Sequence, residues 1–231
     1  MSSITTISDG LRPYLIPPIA AGLAIIPVFP ELAKKSLEQQ GLPLSSLSYR
    51  VSLKNGLKGA PTVGIIVATQ TALQSSLEKR LSSYYDPNSA FITVISSFLV
   101  GAGSAPILAI FNGQTMGWSI RHTMRRFSTR QAAAITLQET AFVAGLSLAD
   151  KLAVVMKRRF GDRRGVDYTA AFVAGYAGSL AGHPANTALT RWQNGLTVTL
   201  KNSLWGSLRK AKAIGVFAVL YKFGKENLSC F

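Results

Sequence analysis

The sequence predicts an all-α membrane protein: six transmembrane helices in three pseudo-repeats of two helices, with residues 1–231 as a single domain. Three observations carry this. Charged residues are only 15% of the chain and apolar residues 48%, with a mean hydropathy of +0.24, whereas soluble domains carry about 25% charge. Four long stretches hold no Asp, Glu, Lys or Arg. Pro30, Pro106 and Pro184 each end an odd-numbered apolar run and lie 76 and 78 residues apart, and one third of the 231 residues is 77.

A membrane helix needs about 20 mostly apolar residues. Pro13 to Pro30 supplies 18, Gly59 to Leu77 supplies 19 and Pro87 to Ile120 supplies 34. The fourth span is Gln131 to Ala149, interrupted only by Glu139, and the fifth is Tyr168 to Thr190. Ala213 to Tyr221, preceded by Ser203 to Leu208, makes a poorer sixth. A large soluble helical core is the competing reading, but its surface helices would need a polar stripe. Each pseudo-repeat (approximately 11–85, 86–160 and 161–231) reads as a helix kinked at its proline, a polar connection and a second helix. A proline removes one helical hydrogen bond and bends the helix, so helix kinks are expected near Pro30, Pro106 and Pro184.

Several functions are excluded. The apolar content is too high for disorder, and the single cysteine, Cys230, rules out a disulfide scaffold. One Cys and two His, His122 and His183, do not make a zinc site. No nucleophile motif or phosphate-binding loop is present, so no enzyme is expected. The net charge of +15 could signal nucleic acid, but the basic residues are scattered between apolar runs without a recognition motif. They follow topology instead: 14 of the 25 Lys+Arg fall in odd-to-even connections and 8 in even-to-odd ones. That bias puts the odd-to-even connections on the positive side of the membrane. No basic or Arg-rich leader opens the sequence, so targeting information is expected to be internal.

The segments after the three prolines resemble the signature of the mitochondrial carrier family, Pro-x-acid-x-x-base-x-base-x-Gln. Gly175 and Gly178 upstream of Pro184, then Arg191 and Gln193, carry the likeness in the third unit. Pro30, Lys35 and Gln39 carry it in the first, and Pro106 in the second. The chain is shorter than the family's usual three units. The resemblance implies a multi-pass protein of the mitochondrial inner membrane, a basket of six helices and a gate of ion pairs between units. The six gate positions here are Leu32, Lys35, Leu108, Phe111, Asn186 and Leu189. With one base and no acid, a ring of ion pairs cannot form, and a largely apolar plug is expected. The even-helix ends show no acid-x-x-base pair either: Glu78 with Leu81, Asp150 with Ala153, Lys222 with Lys225.

Individual residues have two readings each. Lys35 either snorkels to the interface or meets a solute. Arg191 and Gln193 brace a helix end or touch a ligand. Glu139 pairs with Lys210 or Lys212 in a cavity, or caps the fourth helix near its start. His183 is read as a packed helix residue, His122 as part of a basic surface and Cys230 as an inert thiol. Lys58-Gly59 and Trp205-Gly206 are read as helix starts, whose free N–H groups bind phosphate; the resemblance implies structural cardiolipin there. No other cofactor and no metal is expected.

The leading functional expectation is a carrier fold that has lost gated transport and serves as an accessory subunit of a respiratory or ATP-synthase complex, with membrane lipids and neighbouring subunits as partners. The alternative is a solute carrier for a small anionic metabolite, its cavity made positive by Lys35, Lys210 and Lys212. A third is an outer-membrane relative working in insertion or membrane shaping.

Overall fold

A computed structural model describes residues 2–85 and 89–229. Among them the chain is helical, without a strand. The helices are α1 (Ser2–Gln40), α2 (Tyr49–Leu81), α3 (Ala90–Thr115), α4 (Ile120–Arg125), α5 (Thr129–Ser147), α6 (Ala149–Phe160), α7 (Arg164–Ala181), α8 (His183–Gln193) and α9 (Ser207–Leu228). Cys230 lies outside the described residues.

The first, third and fifth helical rods stop in the same way. A glycine with positive φ follows α1 (Gly41, 74°), α3 (Gly117, 80°) and α8 (Gly195, 70°). Each lies eleven residues after its proline: Pro30, Pro106 and Pro184. In each turn the residue after the glycine donates back into the last helical turn: Leu42 to the Leu37 carbonyl, Trp118 to Gly113 and Leu196 to Arg191, at 2.8–2.9 Å. This is the left-handed helix stop that glycine adopts without strain. The prolines behave less uniformly. Helices α1 and α3 run through Pro30 and Pro106 uninterrupted, and only at Pro184 does the rod break, at Gly182 between α7 and α8. There Pro184 sits in the first turn of a new helix, where its missing N–H costs nothing.

The rods close into a ring in chain order. Helix α1 packs on α2, α2 on α3, α3 on α5, α5 on α7 and α8, α6 on α7, α7 on α9, and α9 back on α1. Small residues set the seams. A Cβ on Gly145 would stand 2.7 Å from Gly178 Cα, and one on Gly215 would stand 2.7 Å from the Phe172 ring. Gly145→Ala is therefore expected to destabilise by about 1–3 kcal/mol, because backbone rather than a side-chain tip must move. Gly165→Ala, which meets nothing within 4 Å, should be neutral or stabilising by up to about 1 kcal/mol. Thermal unfolding of the two variants in detergent checks the contrast.

Three helical stretches among the described residues, Tyr14–Gln40, Phe91–Thr115 and Thr129–Phe160, are long and apolar enough to cross a membrane. That is half the number the apolar runs predict. The shortfall has a physical source. Helix α2 carries Gln70, Gln74 and Glu78, α7–α8 carries His183 and Asn186 with a break between its halves, and α9 carries Lys210. Gln70, Asn186 and Lys210 line a chamber and Gln74 and Glu78 a vestibule, while α9 also carries Arg209 and Lys212 on an outer groove and Lys222 and Lys225 near its end. Outward, all six rods expose large apolar residues, among them Ile19, Ile65, Phe98, Leu137, Val173 and Val216. Large apolar residues thus lie on the outer faces as well as in the buried clusters around Phe29 and Leu189, whereas the outer face of a water-soluble bundle is polar.

Candidate functional site

The ring encloses a chamber of about 120 Å³ next to a wider vestibule of about 750 Å³. Val67, Gln70, Phe142 and Phe217 are walls of both. All six positions of the expected gate, Leu32, Lys35, Leu108, Phe111, Asn186 and Leu189, line the chamber together. The eleven-residue register from proline to helix stop puts them at one level, where α1, α3 and α8 meet.

The closure there is not the apolar plug that the residue types predict. Leu32 and Leu189 are buried, but so are Lys35, Gln39, Asn112, Thr115, Asn186, Thr187, Thr190 and Gln193. Asn186 is the hub. Its Oδ1 accepts from Lys35 Nζ at 3.0 Å and Gln39 Nε2 at 3.2 Å, and its Nδ2 donates to Gln138 Oε1 at 2.7 Å. Gln39 Nε2 also reaches Thr187 Oγ1 at 2.9 Å. The other sides are tied by Ser36 with Thr115 at 2.8 Å and by Asn112 Nδ2 donating to Gln193 Oε1 at 2.6 Å. A charge is still present, but its partner is an amide. The six gate positions do not include the polar neighbours within one helical turn of them, and those neighbours close the base. Asn112 and Thr115 (i, i+3) and Thr187 and Thr190 (i, i+3) are these neighbours, and their helical spacing is the signal in the sequence.

The burial of Lys35, 2% exposed, overturns its reading as a snorkelling surface cation. Glu139 is also buried and lies mid-way along α5, so it does not cap that helix. Its Oε1 accepts from Gln138 Nε2 at 2.9 Å and its Oε2 from Gln70 Nε2 at 3.0 Å. Lys210 is buried on the same chamber, and Glu139 and Lys210 attract one another across it. Lys212 does not join them. Two residues on a helix turn the side chain by about 200°, and Lys212 is exposed on an outer groove.

Arg191 bonds the Gln39 carbonyl through Nη1 at 2.7 Å and the Thr197 carbonyl through Nε at 2.6 Å, tying α8 to the end of α1. Gln193 joins α8 to the Ala109 carbonyl at 3.2 Å. Buried His183 shares Nε2 between the Trp205 carbonyl at 2.9 Å and Thr187 Oγ1 at 3.1 Å. His122 is exposed beside Trp118, ring centroids 4.5 Å apart.

The two glycine sites differ. Gly59 is not a helix start: α2 begins at Tyr49, and Gly59 is buried against Phe29 and Phe111 with Lys58 exposed beside it. Charges at Arg50, Lys54 and Lys58 ended the apolar run but not the helix. Gly206 does open α9, with φ of 75°. Together with Trp205 it lines the outer groove between α1 and α9, about 800 Å³ in volume. Two carboxylates share that groove: Arg209 bridges Glu31 at 2.6 Å and Glu38 at 2.9 Å. These half-exposed pairs join the first and last helices on the outside of the ring. Arg209→Ala is expected to cost at most about 1 kcal/mol, and the loss should shrink in high salt; unfolding at two ionic strengths measures it.

Among the described residues no cluster of three or more His, Cys, Asp or Glu could hold a metal ion. No protein-family model matches the chain, and no curated protein matches it either.

Proposed function

We propose that the chain is a multi-pass membrane protein of carrier architecture, six spans in three pseudo-repeats, that binds a small anionic solute within its ring. The observation that carries this reading is the trio Lys35, Glu139 and Lys210, buried on one chamber. Ionisable groups held inside a membrane are expensive, and they mark solute or ion pathways. Their formal charges sum to one positive, and the adjoining vestibule offers a polar approach along Gln70, Gln74 and Glu78. The exposed apolar residues on all six rods, and the proline-to-glycine register repeated three times, support six spans in three units. Location in the mitochondrial inner membrane follows from the resemblance to the carrier family. The test is uptake of labelled small carboxylates into liposomes holding the purified protein. Saturable uptake lost in Lys210→Met supports the reading; uptake equal to empty liposomes rejects it.

A second reading is favoured by the hydrogen bonding around Asn186. A base closed by amides, hydroxyls and one ammonium has no ion pairs to exchange between two gates. A non-transporting accessory subunit of a respiratory or ATP-synthase complex would keep such a closure permanently. It would co-purify in stoichiometric amount with one complex in mild detergent.

A further inference from the structure

We infer that the solute is a monoanion with a compact apolar body, a short or branched monocarboxylate; this rests on the reading of the chamber as a solute site. The charges set the valence. In their ionised forms Lys35 and Lys210 contribute two positive charges and Glu139 one negative. A single carboxylate brings the chamber to neutrality, whereas a dianion leaves an uncompensated charge in a low-dielectric interior.

The hydrogen bonds set where the carboxylate goes. Each lysine ammonium has three donors. Lys35 uses one on Asn186, and among the described residues no hydrogen bond engages the Lys210 ammonium, its backbone N–H alone being bonded, to the Gly206 carbonyl. Spare donors on two cations therefore face one space. Glu139 has both oxygens occupied by the Gln70 and Gln138 amides, so it acts as a fixed counter-charge.

The walls set the rest of the molecule. Ile25, Val63, Ile66, Leu108, Phe111 and Phe217 supply an apolar lining; the polar groups set into it, Asn112, Thr115 and the buried, unpartnered Ser179 hydroxyl, are neutral, so a second carboxylate finds no further cation there. A volume of about 120 Å³ is slightly less than the roughly 150 Å³ that takes up benzene, which is the size of a carboxylate with about three to five carbons.

The experiment measures binding of 3-methylbutanoate, glutarate and 3-methylbutan-1-ol to the full chain in detergent by calorimetry. Wild type should bind 3-methylbutanoate at least tenfold more tightly than glutarate, and the neutral alcohol not measurably. Glu139→Gln, which raises the chamber to two net positive charges, should reverse the preference, and Lys210→Met should weaken 3-methylbutanoate at least tenfold. If glutarate binds wild type more tightly, or the alcohol binds as well as the acid, the monocarboxylate inference is overturned while a solute site remains. If none of the three binds, the solute reading itself fails. Should Glu139→Gln not fold, the wild-type ratio alone decides.

Discussion

Asn186→Leu is expected to destabilise the protein by roughly 2–5 kcal/mol, the cost of leaving the buried Lys35 ammonium and the Gln138 amide oxygen without their hydrogen-bond partner. Asn186 accepts from Lys35 and Gln39 and donates to Gln138. It thereby joins α1, α5 and α8 through one side chain. Leucine is close in size and equally apolar to the walls, so the loss reads the hydrogen bonds rather than a cavity. Asn186→Asp should lose less than half as much. It keeps an acceptor for Lys35, now charged, and gives up only the bond to Gln138. Urea unfolding of both variants in detergent measures the difference. Equal losses would mean that Lys35 draws its stabilisation from elsewhere.

The second large effect is a coupling. Lys210→Met leaves Glu139 without the cation that attracts it, and Glu139→Gln leaves Lys210 and Lys35 to repel each other. Each single change should destabilise by roughly 1–3 kcal/mol. The double variant should recover most of that, with a coupling of about 1–3 kcal/mol, because interacting neighbours are not additive. Simple additivity of the two losses would show that the pair does not act as a unit. Methionine and glutamine keep the side-chain volumes close to native, so the cycle isolates charge.

The parts of this arrangement that were legible in the sequence are those written locally. The proline spacing located the three positions where odd rods converge, and the gate residues counted from each proline do line one chamber. The glycine eleven residues beyond each proline was equally legible and would have sharpened the repeat, since it names the helix stop. The partner of Lys35 was not legible. Asn186 is 151 residues away, and only closure of the ring brings the two together. Lys210 and Lys212 looked alike as basic residues near the start of the last helix. The 100° step per residue separates them, but only once one face is known to point inward. Gly59 opens an apolar run but not a helix, because Arg50, Lys54 and Lys58 extend α2 back to Tyr49 by their ordinary helix propensity. The count of apolar spans fell short for a related reason. Hydropathy sums all faces of a helix: in α2 and α7–α8 one polar face lines the interior, and α9 carries Lys210 inside with Arg209 and Lys212 on an outer groove.

In the proposed arrangement the chamber would open to one side of a membrane and the Asn186 network would close the other. The most direct test of this arrangement is side-specific labelling. In a Cys230→Ser background, Thr71→Cys places a thiol in the vestibule, Lys201→Cys places one in the exposed connection between α8 and α9, and Thr190→Cys places one in the buried closure. A membrane-impermeant thiol reagent is applied to sealed vesicles and then to vesicles opened by detergent. The account predicts labelling of position 71 from one side only, position 201 from the other side only, and position 190 from neither. Labelling of positions 71 and 201 from the same side, or ready labelling of 190 in the folded protein, would contradict it.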